Sequence, residues 1–159
     1  MSKFVKYILI FLVSMVPIVE LRGAIPIAID VYHLNLVPSF IICIIGNMVP
    51  VPLIYFLARK VLEWGKDKKV IGKFFNWCLV KGERAGNKLQ RSIGKKGTFV
   101  ALLLFVGIPL PGTGAWTGTL AASFLDLDFK RTVIAVVCGV LLAGVIMALF
   151  SYGLLGVIS

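Results

Sequence analysis

Apolar residues fall in four blocks, 4–29, 36–58, 98–125 and 132–158, and the blocks are of two kinds. Residues 36–58 form an unbroken run that, at 1.5 Å per helical residue, spans roughly 34 Å, enough to cross a hydrocarbon core of about 30 Å with some tilt. Asn47, Pro50 and Pro52 lie within it and predict a kink. Residues 132–158 carry no charge and include Gly139, Gly144, Gly153 and Gly156, small residues of the kind that lets membrane helices approach closely. Both blocks are expected to be transmembrane helices.

The other two blocks are interrupted. In 4–29 the break runs from Pro17 through Pro26; in 98–125 it is Pro109-Leu110-Pro111-Gly112-Thr113-Gly114. Two prolines and two glycines in six residues end a helix. About 11 apolar residues remain on each side of the second break, roughly 16 Å of helix, or half a bilayer. Halves joined in this way predict a re-entrant hairpin, tolerated at membrane depth where protein or a water-filled cavity surrounds the turn. A single proline-kinked span is the alternative for each. Lys3 and Lys6 ahead of an apolar run also resemble a signal peptide. A cut near Gly23 or Ala24 would need a small residue three places earlier, where Glu20 or Leu21 stands, so no cleavage is expected.

Composition agrees with a lipid-solvated chain: 59% of the 159 residues are hydrophobic and 15% are charged, against about 25% charged in soluble domains. The chain is read as one membrane domain, with a first repeat at 1–58, a connector at 59–97 and a second repeat at 98–159. The net charge of +10 lies almost wholly in the connector, where residues 59–96 hold twelve Lys/Arg against three acids. Charge confined to one loop speaks for membrane topology, and no nucleic acid partner is expected. The positive-inside rule assigns the connector to the cytoplasmic face of a prokaryotic-type cell membrane. Cys43, Cys78 and Cys138 are widely spaced, and His33, the one histidine, sits in a polar connection, so no metal site or cofactor is expected. The apolar blocks hold no His/Asp/Ser constellation, which speaks against an enzyme.

Sliding the chain against itself by 91 positions aligns Gly23-Ala24 with Gly114-Ala115 and Leu34-Asn35-Leu36 with Leu125-Asp126-Leu127. The order of elements repeats too: broken block, polar connection, full span. With the connector inside, the first hairpin enters from outside and the second from the cytoplasm, so the halves are inverted and their tips meet near the midplane. The fold class expected is therefore an all-α integral membrane protein of two inverted repeats, each a re-entrant hairpin plus a transmembrane helix, with transport sites at the broken helices. Lys3 and Lys6 resist this scheme, since they would face outward. Four full spans, with the amino terminus inside, is the competing topology.

Charges at membrane depth cost about 2.5 to 3.5 kcal/mol on insertion scales and so point to function. Glu20 and Asp30 are the candidate proton or ion site, because low dielectric favours the uncharged form of a carboxyl group and suits cycles of proton uptake and release. Arg22 is the candidate anion or counter-charge site; two residues from Glu20, it cannot pair with it as a helical neighbour. Either the backbone is unwound there, or each charge finds a partner in the other half. In the second hairpin, Pro109, Pro111, Gly112, Thr113, Gly114, Trp116 and Thr117 form a candidate substrate-facing turn. Its exposed N–H groups, ahead of a half-helix starting near Ala115, would favour an anionic group. Asn47 is a candidate polar ligand within a span. Lys81, Arg84, Lys88, Arg91 and Lys95 share one helical face after Trp64, Phe74, Phe75 and Trp77, the pattern of a helix lying on anionic headgroups.

The runs Glu20-Leu21-Arg22-Gly23-Ala24-Ile25-Pro26 and Pro109-Leu110-Pro111-Gly112-Thr113-Gly114-Ala115-Trp116-Thr117-Gly118 resemble the small multidrug export protein family, over essentially the whole chain. That family is similar to the DedA/VTT superfamily, which implies paired re-entrant hairpins in inverted repeats and proton-coupled or lipid-carrier transport. Glu20 and Asp30 are similar in placement to the acidic residues of the DedA first hairpin. Ile108 and Gly114 stand where that group carries arginines. The expectation is a secondary transporter or flippase working by alternating access, on a small-molecule or lipid substrate, with dimerisation through the glycine-rich last span. The alternative is an uncoupled lipid scramblase or membrane-organising protein.

Overall fold

The computed structural model describes residues 2–158, with side chains as far as Gly153; Gly156 lies past that point. Among the described residues there is no strand. The helices are α1 (Lys3–Met15), α2 (Glu20–Pro26) with a π-helical extension (Ile27–Val31), α3 (Leu36–Met48), α4 (Pro50–Lys66), α5 (Gly72–Gly107), α6 (Ala115–Phe124) and α7 (Phe129–Ile158).

Val49, between α3 and α4, keeps helical torsions, so the two run on as one helix, Leu36–Lys66. Pro50 and Pro52 withhold N–H donors from the ladder where the two meet. This helix and Phe129–Gly153 are each long and apolar enough to cross a membrane, and only 39% of each apolar window is buried within the protein. Apolar surface left outward on that scale suits lipid, not the interior of a soluble fold. The first helix extends eight residues past the expected Ala58, into the connector.

The first break is shorter than the sequence suggests. Only residues 16–19 are non-helical, and 20–26, read as part of the interruption, are helix α2. Burial explains the difference: Leu21, Ala24, Ile25 and Ala28 all lie inside at helical spacing, and that packing outweighs the local cost of Gly23 and Pro26. Beyond Pro26 the helix widens to the π form, with Tyr32 N–H donating to the Ile27 carbonyl at 3.0 Å. The second break spans residues 108–114, as expected.

Helix α5 bends at Gly94, whose φ of 70° favours glycine, and the Thr98 hydroxyl donates back to the Gly94 carbonyl at 2.9 Å. The bend separates a basic arm, 72–93, from an apolar arm, 95–107. Lys81, Arg84, Lys88, Arg91 and Lys95 are all exposed. On the opposite side of the basic arm, Gly82 and Gly86 sit against the Phe124 and Leu125 carbonyls, which docks the arm on the end of α6. Trp64, Phe74 and Trp77 remain exposed, whereas Phe75 packs on Gly65.

The same order of elements occurs twice, and several features of the long helices recur 93 positions apart, beside the offset of 91 that aligns the sequence motifs. Helices α3 and α7 start at Leu36 and Phe129; Leu34 and Leu127 are buried in the connections before them; Ser39 and Thr132 are buried one turn in. The hairpin turns differ in length, which shifts the register. In both halves a glycine brings the long helix against the first limb of the hairpin: a Cβ on Gly46 would lie 2.6 Å from the Phe11 carbonyl oxygen, and one on Gly139 would lie 2.8 Å from that of Leu103. Gly144 packs on Phe40, so Gly139 and Gly144 both serve contacts within the chain. The second limbs cross over: α2 packs against α7, and α6 against α4.

Gly139→Ala is therefore expected to destabilise the detergent-solubilised protein by about 1–3 kcal/mol, because backbone lies in the way of the new methyl group. Gly153→Ala, where a Cβ meets nothing within 4 Å, is the control. Equal thermal unfolding midpoints for the two variants would contradict the close α5–α7 approach.

Candidate functional site

Every helix that stops inside an apolar region leaves backbone donors or acceptors without partners. The two hairpin turns lie side by side and supply those partners to each other. Glu20 opens α2 with φ of 50° and is 4% exposed. Its carboxylate accepts from the first N–H groups of α6, Trp116 N at 3.0 Å and Ala115 N at 3.3 Å. A carboxylate at that end also gains from the helix dipole. Gly114 precedes α6 with φ of 143°, and a side chain there would collide with the Glu20 carboxylate, so glycine is required twice over.

Arg22, two residues into α2, spreads its guanidinium over the far end of the second turn. Nη1 donates to the Leu110 carbonyl at 2.6 Å; Nη2 donates to the Val106 carbonyl at 3.1 Å and to the Thr113 hydroxyl at 2.9 Å. The planar fork of arginine reaches separated acceptors that one ammonium would not. The return contact comes from α6, where Trp116 Nε1 donates to the Met15 carbonyl at 3.1 Å. Arg22 thus caps the end of α5 and Trp116 caps the end of α1. No ion pair joins Glu20 to Arg22 among the described residues; each charge meets the other half instead, the second of the two arrangements the sequence left open.

Between the turns is a cleft of about 510 Å³. Glu20, Arg22, Pro109, Pro111, Gly112, Thr113, Trp116 and Thr117, all candidates from the sequence, line it together with Pro17, Ile18, Leu110 and Leu120. Gly114 is buried beneath the Glu20 carboxylate. The anion that the sequence led one to expect at the α6 amino terminus is therefore present in the chain itself, as Glu20.

Two candidates lie elsewhere. Asp30 belongs to the π-helical stretch, does not line this cleft, and has its Oδ1 buried without a partner. Asn47 is 2% exposed in α3, and its Oδ1 is likewise unpartnered. The basic face of α5 contributes nothing to the cleft. Sequence reasoning passed over a second polar tie, in which the Tyr55 hydroxyl donates to the Leu127 carbonyl and the Ser123 hydroxyl donates to the Tyr55 carbonyl at 2.8 Å, holding α4 against the α6–α7 connection. The available signal was a tyrosine within a span, whose hydroxyl must find a partner when buried.

No curated protein and no solved structure matches the chain. A family model does, over residues 20–146, a stretch that holds Glu20, Arg22, the basic arm and the whole of the second hairpin. The chain belongs to the family described as putative small multi-drug export protein.

Proposed function

We propose that this membrane protein is a secondary transporter or flippase, coupled to protons or another ion, in which two re-entrant hairpins alternate the access of one central cleft. The observation that carries the reading is the Glu20 carboxylate seated on the α6 amino terminus, because it makes a titratable group the tie between the two halves. Ionised, Glu20 holds both amides. Protonation removes the charge that the amides and the helix dipole favour, weakens the tie, and leaves the α6 terminus open to an anionic group of a substrate. Arg22 acts as counter-charge, and its carbonyl contacts keep the second turn in place while the first is released.

The crossed packing of α2 on α7 and α6 on α4 supports inverted halves, each hairpin being gripped by the other half's long helix. Under that arrangement the tips lie near the midplane, where the aromatic and proline lining of the cleft suits an apolar or amphiphilic substrate. The basic arm lies on the cytoplasmic leaflet, with Lys81, Arg84, Lys88 and Arg91, and Lys95 just past the bend, toward anionic headgroups.

In proteoliposomes, a pH gradient is expected to drive uptake of a small organic dye, and Glu20→Gln to abolish the drive while leaving the fold intact, since the amide oxygen still accepts from α6. Equilibration of a fluorescent phospholipid, indifferent to both gradient and substitution, would instead identify a scramblase. A second expectation concerns access. Ile18→Cys and Leu110→Cys, one on each turn of the cleft, should both be labelled by a small impermeant thiol reagent from the same side at any one time, and that side should change with the imposed pH gradient. Labelling of one only from outside and of the other only from inside, whatever the gradient, would mean that the hairpins cross fully.

A further inference from the structure

A second cleft, of about 400 Å³, opens where α5 bends and α7 begins, and it shares no lining residue with the hairpin junction. Lys95 and Arg131 stand on its walls, and Phe99, Leu102 and Leu127 give it an apolar floor. Thr132 also lines it, 1% exposed, with its Oγ1 unpartnered. A buried polar atom without a partner calls for an explanation. The first half sharpens the contrast: Ser39, the residue 93 positions earlier, donates its hydroxyl to the Asn35 carbonyl at 2.8 Å, whereas the Asp128 carbonyl accepts only the Thr132 backbone N–H, at 2.9 Å, and the Thr132 hydroxyl has no partner.

The charges around the cleft are unevenly engaged. Asp126 pairs with Arg59, and Asp128 accepts from the Arg131 N–H at 3.0 Å as the cap of α7. Neither the Lys95 ammonium nor the Arg131 guanidinium has a carboxylate partner among the described residues. Two cations without a carboxylate partner among the described residues, an unused hydroxyl and the amide of Gln90 line this one cleft, a donor set that matches a phosphate group. We infer that this cleft binds a phosphate-bearing ligand, either the headgroup of an anionic phospholipid or free phosphate. The site stands whether or not the hairpins transport.

Calorimetric titration of the full chain in detergent with dihexanoyl phosphatidylglycerol, and in parallel with inorganic phosphate, tests it. Thr132→Val, which keeps the shape of the side chain, and Arg131→Gln should each lower the affinity about tenfold, the scale of one hydrogen bond to a charged group. The pair Lys81→Gln with Lys88→Gln, on the exposed basic face, should change it less than twofold. Lipid binding with this dependence, and phosphate binding at least tenfold weaker, identifies the lipid headgroup as the ligand; comparable binding of both identifies the phosphate group alone. Affinity unaffected by Thr132→Val and Arg131→Gln, or lowered as much by the control pair, would overturn the proposal, since the basic charges would then be acting collectively.

Discussion

The architecture depends on the satisfaction of helix ends inside an apolar protein. A helix that stops between apolar segments exposes amides or carbonyls where water is scarce, and each such group left unpaired costs several kcal/mol. Here the partners come from the opposite half: Glu20 on the α6 amides, Arg22 on the carbonyls that end α5, Trp116 on the carbonyl that ends α1. Each hairpin satisfies part of its own turn, as where the Thr113 hydroxyl donates to the Ile108 carbonyl, and takes further partners from the other half. The halves are thereby tied at the point where the chain is least regular, through charge-assisted bonds stronger than neutral ones.

Close helix packing makes this exchange of partners possible. Apolar attraction gives helices little reason to associate in lipid, so contact rests on shape, and small residues admit the backbones to one another. Gly46 and Gly139 bring the long helices onto the hairpins in the two halves, and Gly82 and Gly86 bring the basic arm onto the end of α6. Polar ties then hold what the glycines admit. Tyr55 and Ser123 join α4 to the connection beyond α6 much as Glu20 and Arg22 join the hairpins.

The two halves are alike in plan and unlike in chemistry. The first hairpin contributes charges and the second contributes backbone and hydroxyl groups, so the cleft between them is asymmetric. A similar division appears at the starts of the long helices, where Ser39 is satisfied by its own turn and Thr132 is not. Similar places in the two halves thus differ in the chemistry they offer.

The four apolar blocks, the break before Ala115 and many of the residues lining the cleft were legible from the chain, because hydropathy, proline and glycine act locally. So was the family, carried by the runs around Glu20 and Pro111. Local signals misjudged residues 20–26, where buried Leu21, Ala24 and Ile25 make a helix in spite of Gly23 and Pro26. Which group answers which helix end was decided by tertiary structure alone: Glu20 meets Trp116 from 96 residues away, and Arg22 meets Val106 from 84. A sequence names the groups that must be satisfied, but a hydrogen bond requires its atoms to be within about 3 Å of each other, and only the folded chain brings them there.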